Sequence, residues 1–250
     1  MPDRTFAHRM ACVGSETTAL SLVAVPTEWF RSPDWSPAAR EGFERRLARA
    51  REHNRPQYLR IKALALLDSP VPDIRAAGRA LLDRLITECA GTSPLEACFA
   101  HELLGDAYRR DGKLDEAESH YRACMHLARP DRSGTSHLYD LSLAEVLLAA
   151  PESRTAEAGD LLEQVRTFMQ SRPGGWFHSE LFRYEVAVAR LAAKTGHRQR
   201  AAASARKALE LAAIDQPQLS RHPDIGVVRT NDATLGELRL LADTPDQIAR

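Results

Sequence analysis

The side chains best suited to chemistry in this sequence are two cysteines and two histidines. Cys98 and His101 lie three residues apart, and His120 and Cys124 lie four apart. In a helix, either spacing places both members of a pair on one face. Two Cys and two His suit tetrahedral Zn²⁺, but structural zinc sites usually have tighter ligand spacing. We therefore expect cysteines that pack as small apolar residues, with no metal site and no cofactor.

A second arrangement, His222-Pro223-Asp224, could place a carboxylate beside an imidazole. We favour a simpler interpretation, in which the proline only stiffens a connection by fixing a backbone angle. The sequence has no nucleophile elbow, Walker-type glycine loop, GxGxxG or HExxH motif. We predict that the protein is not an enzyme, and a metalloprotein or enzyme that uses the Cys/His set is the least favoured alternative.

The balance of positive and negative residues bears on which class of partner the protein can bind. Lys and Arg together number 34, as do Asp and Glu, so the formal net charge is +0. A neutral chain lacks the electrostatic attraction to phosphate on which nucleic-acid binding depends, so we expect no DNA or RNA partner. Thirty of the 34 basic residues are Arg, which is typical of a GC-rich genome and indicates a bacterial source.

The spacing of the cysteines and the length of the apolar runs indicate the cellular compartment of the protein. The four cysteines lack CxxC spacing, and a chain of this length needs no disulfide staples, so we predict a reducing cytoplasm. Residues 19–25 form a short apolar run after two arginines, as in a secretion signal, but without a convincing small-residue cleavage site. No apolar run approaches the roughly 20 residues of a membrane span, and we expect no membrane partner.

The elements that position the Cys/His set lie between residues 93 and 130. Ser93, Pro94 and Glu96 predict a helix start with a capping box. Apolar residues then recur three and four apart in two stretches, which predicts two helices joined by a turn at Gly112. Small residues fall where the two helices would touch most closely. They are Gly105, Ala117 and Cys124.

This stretch resembles a tetratricopeptide (TPR) repeat. The matching positions are Leu104, Gly105, Tyr108, Gly112, Ala117, Tyr121 and Pro130. His101 and Cys124 depart from the pattern, which favours Trp and Ala there, and the proline comes one residue late. The resemblance implies an all-α fold, a right-handed α-α superhelix (a TPR-like solenoid) of about four helix pairs with N- and C-terminal capping segments.

We predict two regions on this basis. Residues 1–35 form an N-terminal arm, in which residues 17–25 are extended, and residues 36–250 form the TPR-like helical repeat domain. The predicted repeats lie near residues 56–90, 93–130, 137–170 and 176–214, and a capping helix spans residues 232–243. The arm carries three large aromatic residues, Trp29, Phe30 and Trp35, which we interpret as an anchor that covers the open end of the helical stack. An exposed recognition patch is the alternative.

The resemblance also implies a function. TPR proteins bind extended peptides or partner helices along the first helices of their repeats, so we predict a protein-interaction adaptor with a protein or peptide partner. By register, the groove residues are Phe99, Glu102, Asp106, Arg109, Arg110, Arg183, Val186, Arg190 and Lys194. Glu102 and Asp106 argue against a clamp for C-terminal carboxylates. The alternative function is a regulatory module that senses a peptide or a small ligand. The alternative for the arginines is that they are ordinary solvated helix residues. The protein could also form a homodimer.

Overall fold

A computed structural model describes residues 28–89, 91–133, 135–152 and 154–243. Within these ranges the chain is all-helical, with no β-strand, as the sequence predicts. A single 3₁₀ turn, Glu52–Asn54, precedes the second of ten α-helices. The helices are α1 (Pro37–Arg49), α2 (Arg55–Leu67), α3 (Pro72–Cys89), α4 (Pro94–Arg110), α5 (Leu114–Leu127), α6 (Tyr139–Ala149), α7 (Thr155–Gln170), α8 (His178–Lys194), α9 (Arg198–Ala212) and α10 (Asp232–Ala242).

Helices that are adjacent in the chain pack in pairs. The pairs are α2/α3, α4/α5, α6/α7 and α8/α9, and each second helix packs on the first helix of the next pair. The first helices also contact one another, α2 with α4 and α6 with α8, and α10 packs on α9 and α8. Short connections between helices favour such antiparallel neighbours.

Two of the pairs end their first helix in the same way. Gly112 and Gly196 have φ of 73° and 78°, a left-handed conformation in which glycine carries no Cβ penalty. The amide of Lys113 donates to the carbonyl of Tyr108 at 2.9 Å, and that of His197 to Ala192 at 2.8 Å. In each pair, this hydrogen bond and a second one donated by the glycine amide form a Schellman motif, which provides donors for the last carbonyls of α4 and α8.

The closest approach of α4 and α5 depends on Gly105. A Cβ at this position would lie 2.7 Å from the Tyr121 ring, which is completely buried. Ala117 and Cys124 are also fully buried on the facing side of α5. The small residues therefore lie at the helix contact, where the sequence predicts them.

The helix starts differ in part from the prediction. The Ser36 hydroxyl accepts a hydrogen bond from the amide of Ala39 and so caps the start of α1. Ser93 makes no side-chain cap, and Glu96 instead binds Arg60 of α2 at 2.6 Å, so the predicted capping box is wrong. An ion pair to a neighbouring helix has replaced a local hydrogen bond.

Three apolar clusters follow one another along the chain. The first joins α1 to α4, the second joins α4 to α8, and the third joins α8 to α10. Helix α6 lies in the middle cluster and is buried on almost every side, including Leu141, Leu143 and Leu147 at 0% exposure. A helix that is buried on nearly every side must be enclosed by other helices.

The described part of the predicted arm lies against α1 and α2. Trp29 contacts the rings of Phe43 and Tyr58 at centroid distances of 5.3 and 5.0 Å, and Phe30 stacks on Tyr58 at 4.8 Å. Trp35 contacts Phe43 at 5.8 Å. All three aromatic residues of the arm therefore pack on rings of α1 and α2.

A buried lysine holds the same arm by its backbone. The Lys62 ammonium group donates to the carbonyls of Ser32 and Asp34 at 2.6 and 2.9 Å, and it lies over the Trp35 ring. Burial lowers the pKa of Lys62, with the charge of Asp34 acting in the opposite direction. The two carbonyls therefore compensate for the loss of hydration around this side chain.

Two sequence interpretations lie outside the described residues. These are the extended segment at residues 17–25 and the weak secretion signal that overlaps it. Among the helices that the structure describes, none combines the length and apolar character that crossing a membrane requires.

Candidate functional site

The first helices of the later pairs, together with α10, share a surface rich in charge, which we call the first-helix surface. It comprises Asp106 and Arg109 of α4, Ser142 and Glu145 of α6, Arg183 and Arg190 of α8, and Glu237 of α10. Glu145 is its centre, since it accepts hydrogen bonds from Arg109 at 2.9 Å and from Arg183 at 2.8 Å. One carboxylate therefore joins three helices, and no sequence spacing predicts that contact.

The electrostatics of this surface depend on Glu145. Burial alone lowers the pKa of the Arg183 guanidinium, but the charge of Glu145 and its hydrogen bonds outweigh burial and raise the pKa. Arg183 also donates to the Ser142 hydroxyl at 2.9 Å. Arginine suits such a position because its planar group can donate several hydrogen bonds at once.

A cavity lies at the end of the first-helix surface, between α6, α8 and α10. Its volume is about 440 Å³, and its lining combines apolar and charged side chains. The lining residues are Glu145, Leu148, Ala149, Ala187, Arg190, Ala193, Lys194, Glu237 and Leu241. Arg190 and Glu237, both in this lining, form a bidentate ion pair with a shortest distance of 2.7 Å. Lys194 forms no ion pair with any of the described residues, and its side chain is exposed.

The predicted groove residues do not all face solvent. Glu102 is only 4% exposed and accepts hydrogen bonds from both the amide and the hydroxyl of Ser136. Burial raises the pKa of Glu102, while these hydrogen bonds act to lower it. Val186 is 6% exposed and packs in the cluster between α8 and α10. Neither residue can contact a partner without a rearrangement, which corrects the register-based prediction for these two.

Three other groove residues are engaged within the chain. Asp106 accepts a hydrogen bond from the Tyr121 hydroxyl at 2.6 Å, and the Phe99 ring lies under the Arg60 guanidinium at 4.6 Å. Arg110 lies 4.0 Å from Asp68. These contacts fit the alternative in which the three are ordinary helix residues. Arg190 and Lys194 line the cavity between α6, α8 and α10, and Arg110 lines a smaller one of about 320 Å³ beside Asp68.

The Cys/His set separates into two contacts. The sulfur atoms of Cys98 and Cys124 lie 3.3 Å apart, and the Nδ1 atoms of His101 and His120 lie 3.0 Å apart. His120 therefore faces its partner helix. In the described part of the chain, no three or more Cys, His, Asp or Glu side chains come together in a way that could hold a metal ion. The four residues thus form two separate contacts on successive turns.

The histidine contact favours the neutral rings. Burial, and then the charge of His120, lower the pKa of His101 to about 4. Burial also lowers the pKa of His120, with Asp83 acting in the opposite direction. The Tyr108 ring stacks on His120 at 5.4 Å.

The loop between α5 and α6 contains a buried ion pair that the sequence does not reveal. Arg132 donates to both carboxylate oxygens of Asp140 at 2.9 and 2.6 Å, and its guanidinium lies 4.1 Å from the Phe168 ring centroid. Asp140 is 1% exposed. We predict a polar loop at residues 131–135, and the sequence signal for a buried pair is an Asp at the start of a helix made mostly of apolar residues.

The tail residues His222 and Asp224 have only local contacts. The amide of His222 donates to the carbonyl of Leu219 at 2.9 Å, and the Asp224 carboxylate pairs with Arg229. The structure does not bring the imidazole and the carboxylate into a hydrogen bond. This agrees with the interpretation of the segment as a connection.

Comparisons with known proteins do not identify the chain. No family model, no curated protein and no solved structure matches it.

Proposed function

We propose that this protein is a TPR-like interaction module, a right-handed α-α superhelix that binds an extended peptide or a partner helix. The observation that carries the proposal is the cavity of about 440 Å³ between α6, α8 and α10. Repeated helix pairs, with the shared Schellman endings at Gly112 and Gly196, support the repeat architecture. The sequence carries no recognisable catalytic motif, which favours a binding function over an enzymatic one, and the cysteine spacing favours a cytoplasmic location.

The lining of the cavity indicates what the partner presents. Ala193 and Leu241 offer accessible apolar surface in the wall of the cavity, and its volume falls in the range of ligand pockets, roughly 300–1,000 Å³. Glu145, Arg190 and Glu237 are ion-paired, but Lys194 is exposed at the edge. We therefore expect a peptide with an apolar anchor residue, close to an acidic residue that pairs with Lys194.

A displayed library of random peptides, selected on the full chain, tests this function. Ala193→Trp fills the cavity, and Lys194→Glu reverses the charge at its edge. We expect each variant to weaken the selected peptides at least about tenfold, the factor that corresponds to 1.4 kcal/mol. Fluorescence anisotropy with the labelled peptides gives the affinities.

Matched controls use the same changes at exposed positions on other helices. Ala203→Trp lies on the exposed side of α9, and Lys113→Glu lies at the α4/α5 turn. Both should leave peptide binding unchanged. Selected peptides that bind all four variants as tightly as the wild type would contradict the cavity as the site, and a library that yields no binder would contradict the function.

Arg109 and Arg190 are unsuitable for such a test, although they belong to the predicted groove. Each is paired with a carboxylate, Glu145 or Glu237. Charge reversal would place two carboxylates within contact distance and weaken the packing between first helices. A loss of binding in these variants would therefore not distinguish a binding role from a structural one.

A further inference from the structure

The two buried thiols of the α4/α5 pair face each other directly. Cys98 and Cys124 are 1% and 0% exposed, and their sulfur atoms lie 3.3 Å apart. The Cys98 thiol also lies 3.4 Å from the backbone carbonyl of Cys124. The two residues come from antiparallel helices and are 26 positions apart in the chain. Their contact is independent of the cavity described above.

The distance between the sulfurs permits a covalent bond after a small movement. A disulfide has an S–S length of about 2.05 Å, so the sulfurs need to approach by roughly 1.3 Å. Side-chain rotation and a slight shift of either helix can supply a movement of this size. No third or fourth ligand lies with the thiols among the described residues, so the donor set suits oxidation better than a structural metal site.

The environment makes the two thiols unequal. The hydrogen bond with Cys124 lowers the pKa of Cys98, with burial acting in the opposite direction. The same hydrogen bond and burial both raise the pKa of Cys124. Either thiol can donate the hydrogen bond between the two sulfurs. Because the thiolate is the reactive form, the sulfur that accepts this hydrogen bond, taken here as Cys98, is the nucleophile, and its partner retains the proton.

We propose that Cys98 and Cys124 form an oxidisable dithiol site that reacts with a small peroxide to give an intramolecular disulfide. Hydrogen peroxide is the reactant class that fits a buried site, since it is only slightly larger than water and can enter through local opening of the helix pair. This proposal does not rest on the proposed peptide-binding function.

The reaction has two balanced steps. The Cys98 thiolate attacks one peroxide oxygen, the O–O bond breaks, and hydroxide leaves and takes up a proton as water, which gives a sulfenic acid. The Cys124 sulfur then attacks the Cys98 sulfur, the S–O bond breaks, and the hydroxyl group leaves as water with the Cys124 proton. The two thiols lose two electrons in total, and the peroxide is reduced to two molecules of water.

The disulfide should stabilise the α4/α5 pair. It closes a loop of about 25 residues, which reduces the conformational freedom of the unfolded chain. We expect the oxidised protein to melt several degrees above the reduced protein, at equal concentration and pH. Dithiothreitol should reverse the difference.

The test exposes the reduced full-length protein to hydrogen peroxide and then measures its mass and its linked peptides without reduction. We expect a loss of two hydrogen masses and a peptide in which Cys98 is bonded to Cys124. Both should be absent in Cys98→Ala and in Cys124→Ala, which keep a small apolar side chain in the core. Circular dichroism of the reduced variants establishes that they fold.

The matched control is Cys89→Ser, because Cys89 lies at the end of α3 and shares a tryptic peptide with Cys98. It should form the bond to the same extent as the wild type. Thiols that stay reduced under peroxide that oxidises free cysteine would overturn the proposal, as would a bond that uses Cys12 or Cys89 instead. If neither alanine variant folds, the linked peptide in Cys89→Ser alone decides the assignment.

Discussion

At the scale of single residues, the contact between His101 and His120 should make folding sensitive to acid. The pKa of His101 in the folded state is about 4, whereas its ordinary value is 6.5. Because the unfolded chain takes up the proton first, the neutral ring contributes stability above pH 6.5, and this contribution is lost as the pH falls towards 4. His101→Gln should remove this part of the pH dependence, as measured by urea unfolding from pH 7.5 to pH 4.

The control for this prediction is His126→Gln, since His126 is exposed on α5. It should keep the pH dependence of the wild type. The His101→Gln and His126→Gln variants must be compared because other groups titrate in the same pH range. Burial raises the pKa of Glu102 and of Asp83, and both of these shifts act in the opposite direction. A His101→Gln variant with the pH profile of the wild type would contradict the prediction.

The sequence predicts only some of the residue contacts. The spacings of Cys98, His101, His120 and Cys124 place each pair on a common helical face, but they do not specify that cysteine meets cysteine and histidine meets histidine. That outcome depends on the axial register of two antiparallel helices. The Arg132–Asp140 pair is less predictable still, because it depends on a loop conformation in which Arg132 has a positive φ of 57°.

At the scale of helices, Gly105 should tolerate no larger side chain. Gly105→Ala places a Cβ against the buried Tyr121 ring, at 2.7 Å if nothing moves. Forcing an extra carbon into a packed core usually costs about 1–3 kcal/mol of unfolding free energy. Chemical denaturation monitored by circular dichroism gives the value, with Gly105→Ser as a second variant of similar size.

Gly236→Ala is the matched control, since Gly236 also lies within a helix but has no atom within 4 Å of an added Cβ. Alanine should stabilise α10 by up to about 1 kcal/mol, because glycine is a poor helix former. The two substitutions should therefore change stability in opposite directions. An equal change in unfolding free energy for the two variants would show that α4 and α5 can move apart at Gly105 without cost.

The helices were more predictable than the contacts between them. Turn residues such as Gly112 and Gly196 act within one or two residues, and apolar spacing marks each buried face, so the helix pairs follow from local sequence. Glu96 shows where local reasoning fails. It matches a capping box in sequence, but it binds Arg60 of another helix.

At the scale of the whole molecule, the three successive apolar clusters should divide the stability along the chain. Leu238 is buried in the last cluster, and Leu82 is buried in the first. Leu→Ala substitution in a core costs about 2–5 kcal/mol. In a chain of stacked helix pairs, the loss of stability should be largely confined to the helices next to the substituted residue, because each pair contacts only its neighbours.

Amide hydrogen exchange tests this division. Leu238→Ala should accelerate exchange in α8, α9 and α10 and leave α2 and α3 protected, and Leu82→Ala should do the reverse. The two variants act as controls for each other. Uniform acceleration along the chain in both would show that the clusters unfold as one cooperative unit.

The candidate binding surface is the part that the sequence predicts least well. The repeat register assigns Arg109, Arg183 and Arg190 to the first helices of their pairs, but it does not reveal that Glu145 and Glu237 pair with them. The cavity is also invisible in the sequence, because its walls come from three helices and depend on the spacing between them. Lys194 is identified as available only once these pairings are known.

The burial of α6 has a consequence for the nascent chain on the ribosome. This helix ends at Ala149, but α8, which completes its surroundings, ends only at Lys194, 45 residues later. At synthesis rates of about 5–20 residues per second, an apolar helix would wait roughly two to nine seconds for its covering helices. Of the described helices that contact α6, α4 and α5 are already made when α6 ends, α7 is complete only at Gln170, and α8 comes last. The order of translation therefore gives chaperones a defined segment to shield.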